Sequence, residues 1–234
     1  MFLTLIFSYL SQKRIQILGF LTFCIFGLGC KGNYLDTAIV FTKSEGIDND
    51  YFFEDLGVQP GEYFPDLRLY TLEKQPLAIE QLFDQGKTLV FISGAYTCDV
   101  THKQLKEINA FHEGSPESVS VFLVYTIEAH PFDSPSPYHP SDEVWLSDTN
   151  LDEQIFAPQP KNLSERLDLA KVWVNEQQIS TPVLLDNAEN SFWEASGQGP
   201  NMTVVLSPEG QVLYKQRWFD RSGLEEFMKH PVLP

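Results

Sequence analysis

"FISGAYTCDVTHKQLKEINAF", residues 91–111, runs an apolar strand into an amphipathic helix and places Cys98 at the bend. The run "TLVFIS" (88–93) is continuous, short and rich in β-formers, the pattern of a strand buried on both faces. Beyond the bend, Leu105, Ile108 and Phe111 recur at helical spacing, with Lys and Glu on the other side. "VSVFLVYT" (119–126) reads as a second buried strand. Strand, helix, strand predicts a right-handed βαβ crossover and two parallel central strands.

Working outward, "PDLRLYTLEKQPLAIEQLFDQGK" (65–87) predicts a short hairpin turning near Glu73-Lys74, then a small helix at 78–84 stopped by Gly86. From His130 to about Leu163 the chain carries Pro131, Pro135, Pro137, Pro140, Pro158 and Pro160, which is too broken for a long helix. A long inserted loop is expected there, and such loops often act as lids. "SERLDLAKVWVNEQQI" (164–179) predicts a helix capped by Ser164, with Leu167, Ala170 and Val174 on one face. "TPVLLD" (181–186) reads as a short strand and "NSFWEAS" (190–196) as a helical turn. "NMTVVLSPEGQVLYKQRW" (201–218) reads as a hairpin around Pro208-Glu209-Gly210, and "RSGLEEFMKH" (221–230) as a closing helix. The order predicts an α/β fold with a mixed central sheet flanked by helices.

A chain of 234 residues with 43% hydrophobic, 13% aromatic and 21% charged residues suits one globular domain with an attachment. The attachment is N-terminal: "SQKR" (11–14) precedes the apolar run "IQILGFLTFCIFGLG" (15–29) and Cys30. Fifteen apolar residues behind a basic cluster match a signal peptide's core better than a spanning helix. "FGLGC" resembles a bacterial lipobox, so residues 1–29 are expected as a lipoprotein signal and Cys30 as the lipidated residue; an uncleaved anchor and plain secretion are the alternatives. Residues 30–60 are expected as a tether and 61–234 as the domain. The domain is then outside the cytoplasm, on the periplasmic or outer-surface side of a membrane.

Removing residues 1–29 removes Lys13 and Arg14 but no acid, which takes the formal charge from −16 to −18. A surface this acidic argues against nucleic acid as a partner. With Cys24 in the signal and Cys30 lipidated, Cys98 is expected as the one thiol of the mature domain, so no internal disulfide can form. A cysteine at a helix start feels unpaired N–H groups and the positive end of the helix dipole, while Asp99 opposes them; a modestly activated thiol is expected. The thioredoxin resolving position, three residues on, holds Thr101.

A cysteine ending the first central strand and a proline before the late hairpin look like a thioredoxin fold of the redoxin type, over roughly residues 61–230. Within it, "SGAYTC" resembles the Gly-Ser-Cys-Thr-selenocysteine segment of the iodothyronine deiodinases. "VYTIEAHPFDSPSPY" is similar to their Tyr-Ile-Glu-Glu-Ala-His run, and "PVLLD…VVLSPEGQVLYK" to their closing strands. The resemblance implies that Cys98 stands at the selenocysteine, Thr97 is the preceding threonine, Glu128 and His130 are the acid and the histidine, and Pro200 is a cis-proline facing the thiol. Tyr96 replaces the auxiliary cysteine, and Asp99-Val100 the following prolines.

His130 and Cys98 then fall at neighbouring strand tips on the carboxyl edge of the sheet, with His130 as acid or base and Glu128 able to orient the imidazole. Tyr96, Phe132, Tyr138 and Trp145, with Pro200, are candidates for an aromatic substrate pocket. A one-thiol mechanism is expected, with no bound cofactor and with an external thiol or redox protein as reductant. Reductive removal of a halogen from a small aromatic substrate is the activity implied. The alternatives are a one-cysteine peroxidase, a thiol-disulfide oxidoreductase, and a non-catalytic binding module. "DTNLDEQ" (148–154) spaces acids like a calcium loop but lacks its Gly and its Glu, and no metal is expected.

Overall fold

The computed structural model describes residues 33–47, 52–83 and 85–230. Its strands are β1 (Arg68–Thr71), β2 (Pro76–Ala78), β3 (Thr88–Gly94), β4 (Val119–Tyr125), β5 (Val183–Leu185), β6 (Thr203–Leu206) and β7 (Val212–Gln216). The helices are α1 (Glu80–Phe83), α2 (Asp99–Gly114), α3 (Asp148–Glu153), α4 (Leu163–Glu176), α5 (Ser191–Ser196) and α6 (Arg221–Lys229).

The parallel pair anticipated from the sequence is the centre of the sheet: β3 and β4 run in register from Thr88 opposite Val119 to Gly94 opposite Tyr125. The seven strands follow the order β2-β1-β5-β4-β3-β6-β7. β5 is parallel to β4, while β6 and β7 on one side, and β1 and β2 on the other, are antiparallel. A strand–helix–strand unit continued by an antiparallel hairpin and a closing helix is a thioredoxin-like fold.

Period-two alternation divides the core. Val90, Ile92, Val121, Leu123 and Tyr125 face Leu105, Ile108 and Phe111 of α2, Leu167 and Trp173 of α4, and Leu224 of α6. Leu89, Phe91 and Val124 face the other way, against Leu82 of α1 and Phe192 of α5. Both faces are therefore covered, which is why β3 reads as an unbroken apolar run.

Two expectations need correction. Asn162, not Ser164, caps α4: its side chain accepts from the Glu165 amide at 2.9 Å. The Asn162 side chain, two residues earlier, satisfies one of the orphan N–H groups of the first turn. The tether does not end at residue 60, because the compact unit begins at Thr37. Val40 N–H bonds Ala188 O at 2.9 Å, Val58 N–H bonds Ala195 O at 2.8 Å, and Phe53 is 1% exposed. Burial of Phe53, together with these backbone bonds, fixes a polar-looking stretch to the compact unit. Tyr34–Asp36, a single 3₁₀ turn, belongs to a separate N-terminal unit.

The signal segment, Cys24 and Cys30 lie outside the described residues. No helix among the described residues is long and apolar enough to cross a membrane. The insertion after β4 holds one short helix, α3, and is otherwise irregular.

Candidate active site around Cys98

β3 delivers the chain to the sheet edge and stops at Gly94, where a Cβ would lie 2.9 Å from the Thr101 methyl and 3.1 Å from the Trp173 ring. Only glycine lets the first turn of α2 pack this closely on the strand end. Cys98 is the N-cap of α2, and its sulfur accepts from the Thr101 amide at 3.4 Å and the Thr101 hydroxyl at 3.2 Å. The thiol lies 3.5 Å from the Pro200 carbonyl, to which it donates. Asn201 bridges the two walls: its amide nitrogen donates to Thr101 Oγ1 at 3.0 Å, and its oxygen accepts from the Phe219 N–H at 2.9 Å.

The expectation of an activated thiol is overturned. Cys98 is 1% exposed, and burial pushes its pKa up to about 11, against the lowering by the Thr101 hydrogen bonds. Asp99 pushes in the same direction as burial. The helix N-terminus acts as expected, but loss of hydration outweighs it.

His130 sits over the thiol's neighbour, not over Glu128. Its Nε2 lies 3.3 Å from Asp99 Oδ1, and its Nδ1 lies 3.3 Å from the Trp145 carbonyl. Both ring nitrogens thus face acceptor oxygens, and the Trp145 indole stacks edge-on at 4.5 Å. The His130 hydrogen bond, together with Lys103 at 2.8 Å, holds the Asp99 carboxyl well below the usual range despite partial burial.

Glu128 does not orient the imidazole. It is fully buried beneath the bend, where Oε2 accepts from the Thr97 amide at 2.8 Å and the Thr97 hydroxyl at 2.6 Å, and Oε1 accepts from the Tyr125 hydroxyl. β4 ends at Tyr125, so Glu128 and His130 do not share one strand face; the irregular chain beyond turns them apart. Burial pushes the Glu128 carboxyl upward against these donors. Thr97 passes the connection on, since its hydroxyl accepts from the His130 amide at 3.0 Å. Both residues brace the bend from below, and neither lines the opening.

The opening is a cleft of about 190 Å³ lined by Phe53, Cys98, Val100, Ala129, Tyr138 and Pro200, with Asp99, His130, Trp145 and Trp218 completing it. Of the expected pocket residues, Tyr138, Trp145 and Pro200 are there. Tyr138 is anchored by the Trp193 Nε1–H, which donates to its hydroxyl at 2.7 Å. Tyr96 and Phe132 are not: the Tyr96 hydroxyl turns to Glu176 at 2.6 Å, and the Phe132 ring is 49% exposed on the insertion. Tyr96 is drawn away by a charged acceptor on α4, and the Phe132 segment by its backbone bond to Ala157 at 3.1 Å. Pro200 faces the thiol as expected but through a trans bond, the default of the peptide group.

Asp148, Asn150 and Asp152 lie on α3 and form no cation loop. Asn150 instead donates to Thr97 O at 3.1 Å and Ile155 O at 3.2 Å, tying the insertion to the cysteine bend. Among the described residues no group of side chains is arranged to hold a metal.

The sequence reading missed Phe53, Trp218, Asn201, the Asp99–His130 pair and the Thr101–sulfur bonds. Thr101 had a signal, its place three residues after a capping cysteine. Phe53 and Trp218 had none, since both reach the cleft only through tertiary packing.

The strand order places the chain in the thioredoxin-like fold class, and among the described residues the one free thiol is Cys98, buried at the N-cap of α2 beside the Asp99–His130 pair. No family model matches the chain, and no curated protein does. Among solved structures it is similar to a thiol:disulfide interchange protein from Bacteroides sp., at 11% identity over 75% of this chain and 93% of that one, with a TM-score of 0.49. It is also similar to StoA of Bacillus subtilis, at 13% identity over 72% and 99% of the two chains, TM-score 0.47. A third is the exposed lipoprotein thioredoxin of Streptococcus pneumoniae, at 13% identity over 70% and 98%, TM-score 0.46. The fold assignment rests on the strand order described above.

Proposed function

We propose that the protein is an extracytoplasmic thiol oxidoreductase in which Cys98 is the nucleophile and every turnover borrows an external thiol. The observation that carries this reading is the setting of Cys98: an N-cap thiol held by two Thr101 donors, at the base of a cleft whose rim carries the Asp99–His130 pair. Residues 1–29 or a lipidated Cys30 attach it to a membrane.

In the step proposed, the Cys98 proton passes to the His130 imidazole and the sulfur attacks one sulfur of a substrate disulfide. The S–S bond breaks, the departing thiolate takes a proton from His130, and a mixed disulfide remains on Cys98. A thiol from the reductant then attacks the Cys98 sulfur of that mixed disulfide, which releases the second substrate thiol and leaves the reductant on Cys98; a second reductant thiol attacks in turn, forms the reductant disulfide and regenerates Cys98. Over the cycle the substrate disulfide is reduced by two electrons and the reductant is oxidised by two. Thr101 supports the thiolate while it exists, which offsets part of the burial penalty.

Turnover of a small disulfide such as hydroxyethyl disulfide, with excess dithiothreitol, tests this. Activity that survives Cys98→Ser sinks it.

The aromatic walls of the cleft favour a second reading, the reductive dehalogenation that the deiodinase-like segments imply. There the Cys98 thiolate takes the iodine of an aryl iodide, the ring carbon takes a proton from His130, and an external thiol displaces iodide to form a mixed disulfide with Cys98. A second thiol then frees Cys98. Iodide release from an iodophenol with dithiothreitol, compared with the Cys98→Ser variant, distinguishes this chemistry from disulfide reduction.

A further inference from the structure

Phe53 comes from the stretch ahead of the first strand, yet its ring stands in the wall of the Cys98 cleft. It is 1% exposed and meets Tyr138 edge-on at 6.1 Å and Trp218 at 5.8 Å. The fit around it leaves no slack. A Cβ on Gly46 would lie 2.5 Å from the Phe53 ring, and one on Gly199 would lie 3.3 Å from the Phe53 Cβ.

The backbone is pinned on both sides of this residue. Glu45 N–H donates to Gln198 Oε1 at 2.7 Å, Leu56 N–H to Phe53 O at 3.2 Å, and Val58 N–H to Ala195 O at 2.8 Å. The Lys215 ammonium donates to the carbonyls of Leu56 and Val58. Phe53 is therefore held as a fixed wall rather than a loose flap.

The space left is about 190 Å³. An apolar cavity of about 150 Å³ takes benzene, so the space beside the thiol matches one substituted ring.

We infer that Phe53 is a specificity-determining residue: it limits the groups that reach Cys98 to those no bulkier than a single aromatic ring. The inference rests on the proposal that Cys98 is the reacting group. The polar edge formed by Asp99 and His130 lies on one rim, so the preferred substrate is a single ring with a polar substituent directed to that rim and its reacting atom toward sulfur.

The test uses the full chain in mild detergent and three methanethiosulfonates of increasing size: methyl, benzyl and 4-phenylbenzyl. In each, the Cys98 sulfur attacks the sulfenyl sulfur, methanesulfinate leaves, and the mixed disulfide is read by mass spectrometry on the peptide carrying Cys98. The wild-type protein is expected to react with the benzyl reagent at least about tenfold faster than with the 4-phenylbenzyl reagent, after correction by a free peptide thiol, because overfilling a fixed cleft is costly. Phe53→Ala is expected to remove that gap and to leave the methyl reagent within about threefold of wild type. Phe53→Leu keeps more of the core volume and is expected to fall between. Phe132→Ala, on the exposed insertion, is expected to keep the wild-type ratio.

A corrected benzyl to 4-phenylbenzyl ratio near one in the wild type, or one unchanged in both Phe53 variants, overturns the inference while leaving Cys98 as the nucleophile. An equal rise for all three reagents also overturns it, since that result means the whole segment has come away. If no reagent modifies Cys98 in any variant, the sieve and the thiol reading both fall.

Discussion

Asp99 and His130, 31 positions apart in the chain, meet at 3.3 Å across the rim of the Cys98 cleft. The pairing fixes the imidazole against the carboxylate that stands next to the thiol. It replaces the Glu128–His130 arrangement that sequence proximity suggested.

Asp99→Asn removes a charge that raises the Cys98 pKa. Alkylation of Cys98 by iodoacetamide at pH 8 is expected to run about two- to fivefold faster, the size of a shift of several tenths of a unit. The same variant changes acid stability. The folded pKa of Asp99 is depressed, so its stabilisation is present above the unfolded value of 3.8 and is lost as pH falls through the lower folded value. Urea midpoints of the variant should therefore fall less steeply than wild type below about pH 4; parallel curves would contradict the pairing.

Thr101→Val keeps the shape and deletes the hydroxyl that sits 3.2 Å from the sulfur. A hydrogen bond to a charged group contributes about 1.5–3 kcal/mol, so the thiol pKa should rise by about one unit or more. The pH profile of Cys98 alkylation reads this directly, and an unchanged profile would remove Thr101 from the mechanism.

Buried Cys98 also links stability to alkaline pH. Its folded pKa of about 11 lies above the ordinary thiol value of 9.0, so the contribution is fully present below the unfolded pKa and is lost as pH rises through the folded one. The loss between those values is on the order of 2–3 kcal/mol for a group buried this deeply. Cys98→Ala should show a flatter alkaline limb in chemical denaturation.

Glu128→Ala strips the acceptor from the Thr97 amide, the Thr97 hydroxyl and the Tyr125 hydroxyl together. Leaving several buried donors without a partner is expected to cost about 3–5 kcal/mol. Glu128→Gln, which can still accept at one atom, should cost less. Equal midpoints for the two variants would show that charge, not hydrogen bonding, dominates.

How much of this was legible in the sequence varies with how locally each feature is encoded. β3, α2 and β4 are written in side-chain periodicity alone, because both faces of the strands are buried and one stripe of the helix is. The place of Cys98 followed from that pattern. Its ionisation did not, because burial is imposed by Phe53, Tyr138 and Trp218, three residues from widely separated segments. Glu128 was readable as important but not as a brace, since two residues of irregular chain after Tyr125 decide which way it points. The tether reading failed for a related cause: "KSEGIDNDYFFEDLG" is polar on average, while the buried Phe53 and backbone bonds such as Ser44 N–H to Pro137 O tie it to the compact unit.

The strand at one border of the sheet has a consequence for association. β2 is three residues long and opens on Pro76, which has no amide hydrogen to offer. On the opposite border, Tyr63 bridges Gln211 just ahead of β7, and a bulge between Val205 and Leu206 breaks the register of β7 against β6. Neither border therefore offers a long flat template for another chain to extend the sheet, which protects a crowded population of molecules from edge-to-edge aggregation.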